Sequence, residues 1–156
     1  MTIDTYIENT PSIATPTSFK KNAHIKDVHL FELAESNYEQ FWATQAQELH
    51  WFQPFNKVLE WSKPYATWFK DGKLNASYNC LDIHLNNERQ HKAAIIWESE
   101  KGETRTLSYR QLHQEVSRFA HCLKHQFSVQ KGDRITLYMP MIPELVIAVL
   151  ACARIG

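Results

Sequence analysis

Apolar residues recur at helical spacing most clearly between residues 108 and 125. Leu112, Val116, Phe119, Ala120 and Leu123 fall on one stripe. Ser108 and Gln111 form a capping-box pattern in front of it, and Leu107 is placed to staple against Leu112. This predicts a helix over 108–125. A second helical pattern opens at Ser36, with Glu39 as its capping partner, and carries Tyr38, Phe41, Trp42, Ala46 and Leu49 on one aromatic-rich face. From Trp51 to Trp61 the apolar content continues without a period, punctuated by Pro54 and Pro64, which predicts an irregular segment held down by aromatic anchors.

Period-two and turn signals fill in the remainder. Trp68 to Leu74 reads as a turn around Asp71-Gly72 between short extended pieces. A short helix is expected from about Asn79, with Asp82 in its first turn and Leu81 and Leu85 on one face. Ala93 to Trp97 is β-prone, Glu98 to Glu103 is charged and contains Gly102, and Thr104 to Leu107 returns, so a β-hairpin is predicted. Lys131-Gly-Asp133 is a turn, and Arg134 to Met139 a buried strand bounded by Pro140. Pro143 suits the first position of a closing helix, Glu144 complements its positive end, and Arg154 and Gly156 are ordinary stop signals. That helix is apolar nearly all round and expects protein on most sides. The pattern reaches Gly156 without the second strand that would complete the α/β unit, so the closing helix is expected to have little to pack against. The chain reads as the front portion of a larger enzyme.

Composition narrows the class. Seventeen Lys and Arg balance 17 Asp and Glu, so the formal net charge is zero. This gives no electrostatic footprint for nucleic acid or for an anionic membrane. Three widely spaced cysteines, Cys80, Cys122 and Cys152, with no C-x-x-C, suggest neither a disulfide framework nor a zinc site. Reduced thiols in a cytoplasmic protein are the simplest account. There is no signal-peptide pattern, and the apolar run from Leu145 to Ala153 is too short to span a bilayer. Residues 1 to about 27, with Pro, Ser and Thr over 10–18, read as a flexible arm.

Each candidate for chemistry has a plainer alternative. His121 and His125, spaced i, i+4 around Cys122, can share a metal, but they lie opposite the apolar stripe without a third ligand. They read as a solvated face that binds nickel or zinc adventitiously at most. His84 and His91 read as surface residues, Cys152 as a small core residue, and Glu98, Glu100 and Glu103, interleaved with Lys101 and Arg105, as a solvated turn. The aromatics from Trp51 to Trp68 read as packing. Four scattered glycines build no phosphate-cradling loop. No catalytic, cofactor-binding or metal residue is assigned.

Several blocks carry a family resemblance. These are Trp51-Phe-Gln-Pro-Phe55, Trp68 through Asp82, Ala94-Ile-Ile-Trp-Glu98, Val116-Ser-Arg-Phe-Ala120 and Lys131 through Gly156. In this order they resemble the N-terminal region of the AMP-forming acetyl-CoA synthetases, from about Ser36 to Gly156. The chain departs from the family pattern at Ile83, where an Arg is usual, and at Ser128, where a turn Gly is common.

The resemblance implies an α/β fold. It would be the N-terminal part of the large domain of an adenylate-forming enzyme, with an irregular helix-containing wrap, a β-hairpin and an incomplete strand–helix unit. The implied division is an arm over 1–27, an acetyl-CoA synthetase-type N-terminal segment over 28–92, and the truncated start of the AMP-binding domain over 93–156. The implied activity is that of an acetate–CoA ligase, using ATP, Mg2+ and CoA and passing through acetyl-AMP, with acetate as substrate. The family's phosphate loop, acyl pocket, CoA-binding arginines and catalytic lysine lie beyond the point reached by Gly156. The 156 residues alone are therefore expected to be inactive. Their uncovered apolar helix is expected to drive self-association. A ligase for propionate or another short acid, or a free-standing binding or assembly module, are the alternatives.

Overall fold

A computed structural model describes residues 13–27 and 29–156. The chain divides into two compact units, Met1–Phe41 and Trp42–Gly156. The first holds α1 (Thr17–Asn22) and α2 (His29–Ser36). Helix α1 opens after Pro16 inside the predicted arm, whose residues 1–12 lie outside the described residues. The boundary between the units falls within α3 (Tyr38–Ala46). Ser36 does not cap this helix. It is the last residue of α2, and its hydroxyl donates back to the Leu33 carbonyl. The cap is Asn37, whose side-chain oxygen accepts the Gln40 N–H at 3.1 Å. The cap lies one residue later and takes the N–H one residue further on, so the helix start moves with it.

In the second unit the segment predicted as irregular contains a regular hairpin. Strands β1 (Lys57–Ser62) and β2 (Tyr65–Lys70) pair antiparallel, with Leu59 opposite Trp68 and Ser62 opposite Tyr65. Lys63 and a cis Pro64 form the two-residue turn. That pair lacks the Asn-Gly or Asp-Gly signal by which tight hairpins are read from sequence. The predicted turn at Asp71-Gly72 follows β2, and the Gly72 N–H donates to the Phe69 carbonyl at 3.0 Å. Phe69 and Asp71 both adopt positive φ, 49° and 63°. Trp51, Phe55 and Phe69 pack ring against ring at 5.1–5.7 Å between centroids, and the Trp51 Nε1–H donates to the Ala46 carbonyl at 2.8 Å. The aromatics act as anchors, as expected, but for a folded hairpin.

Helix α4 (Ala76–Cys80) starts three residues earlier than predicted. Asn75 caps it by accepting the Tyr78 N–H at 3.0 Å, while Asn79 accepts the N–H of His50 from a distant segment. Asp82 therefore opens a separate 3-10 turn, Asp82–His84, rather than the first turn of the helix. A second 3-10 turn, Glu88–His91, is capped by Asn87.

The predicted second hairpin is present as β3 (Ala93–Glu98) and β4 (Thr104–Ser108), with Ile96 opposite Thr106 and a bulge between Ala93 and Ile95. Helix α5 (Tyr109–Gln126) has the full capping box, with Ser108 and Gln111 each closing on the other's backbone. Leu112, Val116, Ala120 and Leu123 are buried as predicted. Phe119, assigned to the same stripe, is 37% exposed because it sits at the stripe's flank over an open groove. The helix terminates through Ser128, at φ 55°, with the Val129 N–H donating to the Leu123 carbonyl.

Residues 134–139 do not form the predicted strand. Ile135 and Leu137 turn inward and Tyr138 is fully exposed, the alternation of an extended chain, but among the described residues no ladder partner lies beside it. The segment is moored by the Trp97 Nε1–H, which donates to the Met141 carbonyl at 2.7 Å. Helix α6 (Pro143–Ile155) follows. The expectation that it has little to pack against is not met. Ala148 and Ala151 are 3% and 0% exposed, because small residues let α6 close against α5 and α4. Leu81, Leu112, Val116, Ala120, Leu123 and Ala151 make one core, with Ile95 and Leu107 of the hairpin packed on it.

Candidate functional site

The most organised polar group joins three elements. Arg154 in the last turn of α6 grips Asp82 with two parallel hydrogen bonds, Nη1 to Oδ2 and Nη2 to Oδ1, each 2.7 Å. His113 of α5 places Nε2 3.2 Å from both Asp82 Oδ1 and Arg154 Nη2. All three side chains are largely buried, at 17–26% exposure. Burial alone would raise the Asp82 pKa. The bidentate guanidinium, helped by His113, outweighs it and holds the carboxyl below its usual range, while Arg154 is pushed upward by the same bonds. From the other side, the Asn75 Nδ2–H group donates to the Ala153 and Arg154 carbonyls at 2.9 and 3.2 Å. The constellation fastens α6 to the 75–82 stretch. Sequence reasoning missed it because the partners are 72 residues apart and Arg154 read as a helix stop.

A groove of about 660 Å³ runs between β4, α5, residues 137–139 and α6, with Phe119, Cys122, Leu137 and Ile147 on its walls. Its rim charges are paired among themselves, Arg105 with Glu144 at 2.8 Å and Arg118 with Glu115 at 2.9 Å. The hydrogen bond from Arg105, then that from its own backbone N–H, hold Glu144 below the usual carboxylate range. A second apolar groove, of similar size, has His84 at its edge, where burial and then the Arg89 charge depress the imidazole pKa.

The residues weighed from sequence are not brought together. His84 stacks edge-on against Tyr109, Cys152 packs at the core with its thiol pKa raised by burial, and Arg105 turns to Glu144 rather than to the hairpin's glutamates. His121 and His125 lie side by side on exposed α5, ring centroids 4.1 Å apart. Among the described residues no three His, Cys, Asp or Glu side chains converge to hold a metal. Gly72 and Gly102 lie in separate turns, and Gly132 donates its N–H to the carbonyl of Gly156 at the end of α6, so the four glycines do not fit a loop for nucleotide phosphates. No helix among them is long and apolar enough to cross a membrane.

Comparison with known proteins gives this scaffold its class. Residues 83–156 match the family described as AMP-binding enzyme, and residues 28–80 match the family described as Acetyl-coenzyme A synthetase N-terminus. The two matched stretches follow one another almost without a gap. An acetyl-coenzyme A synthetase of Rubrobacter xylanophilus is 52% identical over 142 residues, covering 90% of this chain and 22% of that protein. One from Chlorobaculum tepidum is 46% identical, with the same shares of the two chains, and one from Helicobacter acinonychis is 45% identical over the whole chain and 24% of its own length. The chain is similar to the N-terminal portion of these acetyl-coenzyme A synthetases, where the sequence blocks placed it. It spans less than a quarter of the length of these relatives. The fold agrees with that of a solved acetoacetyl-CoA synthetase from Streptomyces lividans, at a TM-score of 0.73 and 24% identity over 90% of this chain and 21% of that one.

Proposed function

We propose that this chain is the N-terminal scaffold of an AMP-forming acetate–CoA ligase. In the reaction of such an enzyme an acetate oxygen attacks the α-phosphorus of ATP, forming acetyl-AMP and expelling pyrophosphate. The CoA thiolate then attacks the acyl carbon, forming acetyl-CoA and releasing AMP. The observation that carries this reading is the run of acetyl-coenzyme A synthetases at 45–52% identity across 90–100% of the chain. They favour acetate over propionate or a non-catalytic module.

Within that enzyme, residues 28–92 would wrap the large domain and residues 93–156 would begin its AMP-binding part, behind an arm over 1–27. The chain's own contribution is mechanical. Asp82, Arg154 and Asn75 lock the two stretches together, and the shared core around Leu81 and Val116 gives the sheet a rigid start. ATP, Mg2+ and CoA would be held by residues outside these 156, and the chain alone would be inactive. A cytoplasmic setting goes with this reading. Exposed Val149, Tyr138 and Met141 would make the isolated chain self-associate.

The test has two arms. The longer protein that carries this sequence at its N-terminus should release pyrophosphate from ATP with acetate and form acetyl-CoA. A higher kcat/KM with propionate would overturn the substrate assignment. Calorimetric titration of the 156-residue chain should show no micromolar binding of ATP, AMP or CoA. Such binding would overturn its scaffold role.

A further inference from the structure

We propose that His121 and His125 of α5 form a two-imidazole chelate for a borderline divalent cation such as Ni2+, Zn2+ or Cu2+. The inference does not rest on the acetate reading and concerns the solvent face of α5, opposite the shared core.

Four i-to-i+4 residues of separation put both side chains on one strip of the last two turns, opposite buried Leu112, Val116 and Ala120. Both are exposed, and their rings lie 4.1 Å apart at 34°. A tetrahedral ion with metal–nitrogen distances near 2.0–2.1 Å needs its two donor nitrogens roughly 3.3 Å apart. The i, i+4 placement of two imidazoles on one helix face is the spacing by which helices present a pair of nitrogens to a single ion. Imidazole nitrogen suits nickel, copper and zinc and not magnesium, so the pair has its own selectivity. The helix C-terminus adds a negative field that favours a cation there.

Four other histidines make contacts of different kinds. His113 sits on Asp82 and Arg154, His84 against Arg89 and Tyr109, His50 against Phe52 and Tyr78, and His29 against Glu32. Cys122 does not join the pair, because its thiol turns to Gln126 and the groove wall. The chelate therefore has two protein donors, with water filling the remaining positions.

The test is calorimetric titration of the full chain with NiCl2 and with ZnCl2, using MgCl2 as the control. One Ni2+ per chain should bind, with no heat from Mg2+. His121→Asn and His125→Asn, both at exposed positions, should each weaken Ni2+ binding by at least about tenfold, while His24→Asn leaves it unchanged. A smaller loss in either variant, or no difference between the wild-type chain and the double variant, would overturn the site. Mapping by diethyl pyrocarbonate labelling and mass spectrometry gives a second readout independent of any variant. Ni2+ should protect His121 and His125 selectively, and protection of other histidines instead would refute the assignment.

Discussion

Arg154 holds Asp82 through two parallel hydrogen bonds of 2.7 Å across 72 residues of sequence. Bidentate pairing of this kind is stronger than a single contact and fixes direction as well as distance. Removing one partner strands the other charge at low exposure. Asp82→Asn should cost about 2–3 kcal/mol of unfolding free energy. Arg154→Met, which leaves Asp82 with His113, should cost less. In a double-mutant cycle followed by urea unfolding, the coupling should exceed about 1 kcal/mol. A coupling near zero would mean the pair is only a surface contact.

Ser128 sits at φ 55°, where a side chain is strained and glycine is not. Ser128→Gly should stabilise the chain by about 0.5–1 kcal/mol, seen as a higher urea midpoint with an unchanged slope. The α5 terminus should keep its Val129-to-Leu123 closure.

Gly72 is needed for space rather than for its backbone angle. An added Cβ would lie 2.5 Å from Trp51 Cζ3, 3.0 Å from the Phe69 carbonyl oxygen and 3.1 Å from Phe55 Cβ. Trp51 is pinned by its bond to Ala46 and by two aromatic neighbours, so the ring has nowhere to go. Gly72→Ala should lower stability by about 1–3 kcal/mol, with a change in near-ultraviolet circular dichroism from the displaced indole. Gly102→Ala meets no neighbouring atom and should cost only the strain of its positive φ.

Stability should fall in two stages on acidification. Burial, then Arg89, hold His84 below the ordinary histidine value of 6.5. The unfolded chain therefore takes up that proton first, and stability declines as pH drops through about 6.5 toward the folded value. Asp82 works through a lowered carboxyl pKa. Its contribution is complete above 3.8 and is lost as pH falls further. Urea midpoints measured from pH 8 to pH 3 should show both declines. His84→Gln should remove the upper one and leave the lower, whereas persistence of the upper decline would assign it to another group.

Where short-range rules decide the structure, the sequence could be read directly. The α5 capping box, the β3–β4 hairpin with its glycine turn and the Pro143 helix start all stand where local patterns put them. Asparagine was the recurrent source of error. Asn37 and Asn75 took over helix starts assigned to Ser36 and Asn79, because their side-chain oxygens accept the free Gln40 and Tyr78 N–H groups. The β1–β2 hairpin stayed hidden since Lys63-Pro64 carries no tight-turn signature. The strand expected at 134–139 depends on a neighbouring strand, which no local pattern supplies. The polar cluster at Asp82 was illegible for a related reason, as pairing over 72 residues leaves no periodic trace.

The Asn75 side chain meets two backbone carbonyls of α6, whereas Asp82 meets a particular side chain there. The first bond is independent of the side chains at 153 and 154, and the second keeps its two-pronged form only with an arginine. A chimaera that took residues 28–80 from one family member and 83–156 from another would keep the Asn75 contact automatically. Its success would hinge on the junction itself, where the acceptor at residue 82 must suit the donor that arrives at residue 154.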